Sequence, residues 1–312
     1  MRYLKILIVG LLLVTPALAV ADADGVPDSA VWYFHLDLDQ MRAAGPGRSV
    51  YDWLQNEALS EVKEESGVDL DKELDSLTAF SSADSGPVIL FEGDISQETK
   101  DKIMTFIAAD GDLSPLKSSG KTYYYFAGDE SNEGASYGNG DIEIDIESLE
   151  DEAWVSLALK DKVLITGSEE QMQSLLKSNG KIAGRNSHNG ALLVLTAEKT
   201  LLQAGMNSAA LGDEGGSDWD SNILRNTEQV AFLMAAAADK LAIEAKLITT
   251  EPEMAESLAS VARGLISLMA FNDEMDAETA AVLQGTRVEA NGNSLSLSLA
   301  LDPELVVRTL GD

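Results

Sequence analysis

The chain contains no cysteine. That absence excludes disulfides, thiolate metal sites, thiol nucleophiles and a lipid-bearing cysteine, so stability has to come from core packing. Histidine is almost as scarce, with only His35 and His188. Cations are also few: 22 Lys and Arg stand against 53 Asp and Glu, a formal net charge of −31. A field of that sign opposes nucleic acid and anionic lipid, because each contact would need cationic groups to displace counterions. It favours cations or basic proteins, or simply maintains solubility in a salty medium. Enzyme signatures are missing too. There is no His-Glu-x-x-His and no dinucleotide fingerprint. The stretch from Pro115 to Thr122 approaches a phosphate-binding loop, but Pro115 stands where the first glycine is required. Ser-x-x-Lys occurs at Ser60, Ser114 and Ser174 without the Ser-Asp-Asn or Lys-Thr-Gly partners that give it meaning.

What is present begins with an address. Arg2 and Lys5 precede an apolar run from Ile6 to Val14, and small residues follow Pro16. This is the pattern of a cleavable secretory signal over residues 1–19, cut after Ala17-Leu18-Ala19, with Ala19-Val20-Ala21 the alternative. No other apolar run approaches the roughly 18 residues of a membrane span, so no transmembrane anchor is expected after cleavage. Loss of the two signal cations, Arg2 and Lys5, takes the net charge from −31 to −33. The expected location is periplasmic or secreted. Hydrophobic residues make up 45% of the chain, enough for a packed core.

Beyond the signal, the order of elements occurs twice. In residues 26–182, a strand at 30–38 and a helix at 49–65 precede strands at 77–81 and 87–92. A helix opening at Ser96, a hairpin at 154–166 and a helix capped by Ser168 complete the set. In residues 190–312, a strand at 191–196 and a short helical pattern at 198–204 precede a hairpin at 229–248. A long helix at 251–270, a hairpin about Asn291-Gly292-Asn293 and a helix with Asp302 at its cap and Pro303 at its first position follow. Both halves run strand, helix, hairpin, helix, hairpin, helix, which contains the β-α-β-β-α-β order of a split unit. The expected fold is therefore α+β: two tandem repeats of ferredoxin-like type, each an antiparallel sheet covered by helices. Residues 128–152 hold ten acidic residues and no Lys or Arg, and read as an insertion in the first repeat. The Gly/Ser/Asn/Asp-rich stretch 206–226 reads as a long loop in the second.

Trp32-Tyr33-Phe34-His35-Leu36-Asp37-Leu38, Tyr51-Asp52-Trp53-Leu54, Gly67-Val68-Asp69-Leu70 and Leu77-Thr78-Ala79-Phe80-Ser81 together carry a likeness. Over about the first 110 residues the chain resembles a family of exported proteobacterial hypothetical proteins. The resemblance implies an exported bacterial protein and supplies no catalytic motif.

Three groups of residues are candidates for chemistry. On a strand, His35, Asp37 and Asp39 share one face while Phe34, Leu36 and Leu38 turn to the core, and an imidazole with two carboxylates suits zinc, manganese or iron. Consecutive same-face positions lie roughly 6.6 Å apart, so a bend is needed before all three reach one ion, and a solvated strand face is the plainer expectation. Asp141, Glu143, Asp145 and Glu147 alternate with isoleucines on an amphipathic strand. Such a row of carboxylates fits either calcium or an edge protected by charge. Asp213, Asp218 and Asp220, in a Gly-rich loop around Trp219, are a weaker cation set. His188 lies in a polar joint between the repeats and reads as an exposed linker residue. No cofactor is expected, with calcium the one candidate. The expected function is a non-enzymatic binding or structural role in the cell envelope, with cations or a basic protein as partner and nucleic acid excluded. The alternative is a metal-dependent hydrolase centred on the His35, Asp37 and Asp39 strand.

Overall fold

The computed structural model describes residues 26–27, 30–43, 45–82, 85–128, 152–182, 190–201, 223, 225–270 and 277–311. Strand β1 (Ala30–Asp37) is followed by helices α1 (Leu38–Ala43) and α2 (Gly45–Leu54), a π-helical turn at Gln55–Leu59 and α3 (Ser60–Ser66). Then come β2 (Ser76–Ser82), β3 (Gly86–Glu92), α4 (Gln97–Asp110), β4 (Gly111–Ser118) and β5 (Lys121–Gly128). The hairpin β6 (Glu152–Ser156) and β7 (Lys162–Thr166) leads into α5 (Glu169–Lys177). Next are β8 (Ala191–Glu198), β9 (Thr227–Ala237), β10 (Lys240–Thr249), α6 (Pro252–Ala270) and α7 (Ala277–Gln284). Strands β11 (Arg287–Asn291) and β12 (Ser294–Leu301) and helix α8 (Pro303–Gly311) end the described chain.

These elements form two compact units, one of residues 24–39 and 51–187, the other including 40–50 and 188–312. The second unit thus takes in an early segment that the linear reading assigned to the first repeat. Each unit holds an antiparallel sheet. Its order is β1-β2-β3-β7-β6-β5-β4 in one and β8-β9-β10-β12-β11 in the other. If the β4–β5 hairpin is set aside, both follow one plan: first strand, hairpin, then the last hairpin entered by its second strand. The α+β class expected from sequence is therefore present.

Neither sheet has the interleaved order of a ferredoxin-like split unit, because the first strand pairs directly and antiparallel with the next one in sequence. Between β1 and β2 the helical segment returns the chain beside the strand it left, so the β2–β3 hairpin adds outward as a meander. Strands β4 and β5 lie in a stretch for which the sequence reading proposed no strands. They are built from Tyr123-Tyr124-Tyr125-Phe126 and a two-residue turn, Ser119-Gly120, with φ of 52° and 76°. Two successive positive φ values give a turn whose twist matches a hairpin. The near phosphate-binding loop is thus a hairpin tip. The acidic segment predicted as an insertion falls between β5 and β6, outside the described residues.

Several local signals operate as expected. Ser96 accepts a hydrogen bond from the Thr99 backbone N–H at 3.2 Å, and Ser168 accepts one from the Gln171 N–H at 3.4 Å. Asp302 accepts from the Glu304 N–H at 3.1 Å, with Pro303 opening α8. These caps satisfy backbone donors that a helix start leaves without partners. The Gln171 amide does not complete a reciprocal capping box; it donates instead to Ser85 Oγ and the Gly86 carbonyl.

Candidate functional site

The sharpest sequence candidate, the His35 strand, is placed differently from its expected solvated face. His35 pairs across the sheet with Thr78, which pairs with Leu90, which pairs with Leu164, which pairs with Ser156. Directly paired residues share a face, and every member of this row beyond His35 is fully buried. His35 itself is 5% exposed, whereas Phe34 and Leu36 are only half-buried. Its Nδ1 lies 2.9 Å from Thr78 Oγ1, and its ring stacks on Tyr33 with centroids 6.5 Å apart. Buried imidazoles need such partners, because an unpaired polar atom costs about 1–3 kcal/mol.

Asp37 ends the strand, half-buried. Asp39 is exposed on α1, its backbone N–H bonded to the Asp75 carbonyl at 3.0 Å. Alternation stops where the strand becomes a helix, so the three side chains do not share one strand face. Among the described residues, no group of three His, Asp or Glu is placed to hold a metal ion. Asp141, Glu143, Asp145 and Glu147, the set Asp213, Asp218 and Asp220, and His188 lie outside the described residues.

Two polar arrangements escaped the sequence reading. Lys100, on α4, is 6% exposed and donates to the carbonyls of Leu159 at 2.6 Å and Lys160 at 2.8 Å. Burial lowers its pKa, against the pull of Asp161. Tyr123, buried on β5, donates to Glu169 Oε1 at 2.5 Å, and Gln173 holds both groups at 3.2 and 3.0 Å. Burial, and then the Glu169 carboxylate, raise the Tyr123 pKa. Each arrangement ties a helix to a strand or turn of the same sheet. Neither lines the depression along α4 or the groove along α6.

Two concavities lie among the described residues. A broad, shallow depression of 680 Å³ runs along α4, lined by Gln97, Glu98, Asp101, Lys102, Thr105 and Phe106 among others. The second, of 280 Å³, is almost wholly apolar and follows α6. Its floor is the sheet face of Val230, Ala245, Leu247, Leu295 and Leu297; its wall is Leu258, Val261, Ala262 and Leu265.

The helix carries more apolar surface than the sheet can cover. Ala255 and Ala259 pack in the core with Val288 and Leu295, small residues that let the helix lie close to the strands. Val261, Leu265, Leu268 and Met269 remain 43%, 52%, 71% and 48% exposed. The sequence signal for this was available: the apolar positions of 254–269 span an arc wider than one packed face needs. No helix of the described residues is both long and apolar enough to cross a membrane.

Neither a protein-family model nor a curated protein matches the chain. Among solved structures, it is similar to three crystal forms of TP0453. Form IV aligns with 93% of this chain and 97% of that one, at 12% identity and a TM-score of 0.46. Form III gives 11% identity and 0.43, and form I gives 12% and 0.38.

Proposed function

We propose that this chain is an exported, acidic, non-enzymatic binding protein of the cell envelope, selective for a basic partner. The supporting observation is how its few cations are used. Lys63, Lys102, Lys162, Lys199 and Lys240 sit in ion pairs with Asp69, Glu98, Glu92, Glu228 and Asp302. Lys100, Lys121 and Arg263 are bound to backbone carbonyls. Among the described residues at least these eight cations are thus committed internally, in a chain with 22 Lys and Arg against 53 Asp and Glu. The excess negative charge is left for solvent and partners, and it raises the association rate of a basic protein at low salt. Export rests on the signal pattern of residues 1–19, and intact mass of the envelope form tests it: a chain beginning at Val20 or Asp22 is expected, and retained Met1 would overturn export.

Calcium and a basic protein are separated by two measurements. Poly-lysine titrated into the mature protein should bind at low ionic strength and weaken steeply as the Debye length falls from about 30 Å at 0.01 M salt to about 8 Å at 0.15 M. Absence of binding at low salt would overturn the reading. Thermal melts in calcium and sodium chloride at matched ionic strength test the carboxylates of Asp141, Glu143, Asp145 and Glu147, changed together to Asn or Gln. Screening alone gives identical curves, whereas a bound ion adds stability in calcium that the variant lacks.

A further inference from the structure

We propose that Asn291 is a site of self-modification, converted to aspartate and isoaspartate by attack of the Gly292 backbone nitrogen on its side-chain amide. The Asn179-Gly180 pair, the same dipeptide, is held unreactive by the fold. Asn-Gly occurs four times, at Asn139, Asn179, Asn189 and Asn291, and the pairs at Asn179 and Asn291 lie wholly among the described residues. Glycine favours the reaction in each, because it has no Cβ to obstruct its own nitrogen. The tertiary structure separates the two.

At Asn291 nothing holds either reacting group. Asn291, Gly292 and Asn293 are exposed at the tip of the β11–β12 hairpin, and among the described residues neither the Asn291 side chain nor the Gly292 N–H makes a hydrogen bond. Gly292 has φ of 58°, and a Cβ placed on it would meet no heavy atom within 4 Å, so the turn is open to water and buffer base. Strand β11 is the edge of its sheet, five residues long, and Asn291 is its last residue, paired with Ser294. Bringing the nitrogen onto the side-chain carbon therefore needs one terminal pair to open, and strand ends at a sheet edge open most readily.

Asn179-Gly180 instead closes helix α5. The Gly180 N–H donates to the Leu175 carbonyl at 2.7 Å and the Asn179 N–H to the Leu176 carbonyl at 3.4 Å, the two bonds of a Schellman ending. Gly180 is buried, and a Cβ on it would lie 2.6 Å from Lys162 Cδ and 3.2 Å from Leu159 Cδ1. Its nitrogen reaches the Asn179 amide only when the helix end unwinds.

The Gly292 nitrogen gives its proton to buffer base as it bonds to Asn291 Cγ, the bond from Cγ to the amide nitrogen breaks, and ammonia leaves. A five-membered succinimide remains. Water adding at Cγ opens it to aspartate; water adding at the main-chain carbonyl opens it to isoaspartate, whose backbone runs through Cγ and is one carbon longer. Either product adds a negative charge. Isoaspartate also lengthens the turn whose Asn293 carbonyl accepts from the Thr249 N–H at 2.8 Å.

The test keeps one sample of the mature protein folded in warm, mildly alkaline buffer, checked by circular dichroism, and another unfolded in urea. Both are digested at intervals and mapped by mass spectrometry, with electron-transfer fragmentation to tell isoaspartate from aspartate. In buffer Asn291 should gain one dalton at least about tenfold faster than Asn179; in urea the gap should close to within about threefold. Asn291→Gln should abolish both the gain and the isoaspartate in the peptide 288–308. Comparable rates at the two sites in the folded protein, or an Asn291 that stays intact there while urea converts it, would overturn the proposal. A gain that persists in the Asn291→Gln variant would place the reaction at Asn293 and overturn it equally.

Discussion

Replacing Lys100 with methionine removes an ammonium group while keeping an unbranched stem of similar volume. The wild-type group donates to the Leu159 and Lys160 carbonyls in the turn between β6 and β7, a turn held also by the Gly93 N–H on the Asp161 carbonyl at 3.0 Å. Two hydrogen bonds from a charged donor, at about 1.5 kcal/mol each, put the loss near 3 kcal/mol, most of it from carbonyls left dry and without partners. For a chain of this size that is a fall in Tm of roughly 6–12 °C.

The pH dependence has a definite sign. The folded pKa of Lys100 is lowered from 10.5, chiefly by burial, so between the two values the unfolded chain binds more protons than the folded one. Stability contributed by this residue therefore rises as pH climbs toward 10.5, and the burial penalty is fully present below the lowered folded value. Urea midpoints of wild type and Lys100→Met, at neutral pH and again near pH 10, measure both effects. A variant within about 0.5 kcal/mol of wild type, or a gap between the two that narrows as pH rises, would refute the reasoning.

Tyr123→Phe removes the hydroxyl bonded to Glu169 and should cost about 1.5–3 kcal/mol in urea unfolding, as expected for a charged acceptor. Because the folded Tyr123 pKa is raised above 10.0, wild-type stability should fall between pH 10.0 and that raised value, and this part of the fall should vanish in the variant. At Glu73, burial acts to raise the pKa but is outweighed by the Ser96 backbone N–H and the hydroxyls of Thr99 and Ser96, so the pKa lies below 4.5. Its contribution is present above pH 4.5 and lost as pH falls through the lowered value; Glu73→Gln should flatten that part of an acid titration followed by circular dichroism. A Cβ on Gly93 would lie 2.0 Å from the Glu73 carbonyl oxygen and 2.8 Å from the Asp75 nitrogen, both backbone atoms. Gly93→Ala should therefore destabilise by about 1–3 kcal/mol or more, read as a lowered urea midpoint.

The candidate site was only partly legible. Carboxylate excess and the wide apolar arc of residues 254–269, which lines the groove along α6, are written in the sequence. The His35 strand was misread because alternation gives two faces without saying which is buried. Both Phe34 and His35 are compatible with an interior, and the fully buried row from Thr78 to Ser156 decided for the histidine. Lys100 was invisible for a related reason. A lysine on a helix reads as solvated until a turn some 60 residues away places two carbonyls over it.

By itself the sequence determined local elements: hairpins at 229–248 and 287–300, and helix starts at Ser96, Ser168 and Asp302. Those signals are short-range, set by turn chemistry, capping and hydrophobic period, and they act before any long-range contact forms. Strand order was left to the tertiary structure, because one order of elements is compatible with several sheets. The choice between a split unit and the observed meander depends on where each helical segment returns the chain to the sheet. Membership of residues 40–50 in the second unit was decided in the same way, by packing between segments distant in sequence. So was the groove along α6, which exists because the sheet covers one side of a helix whose apolar arc is wider than that side.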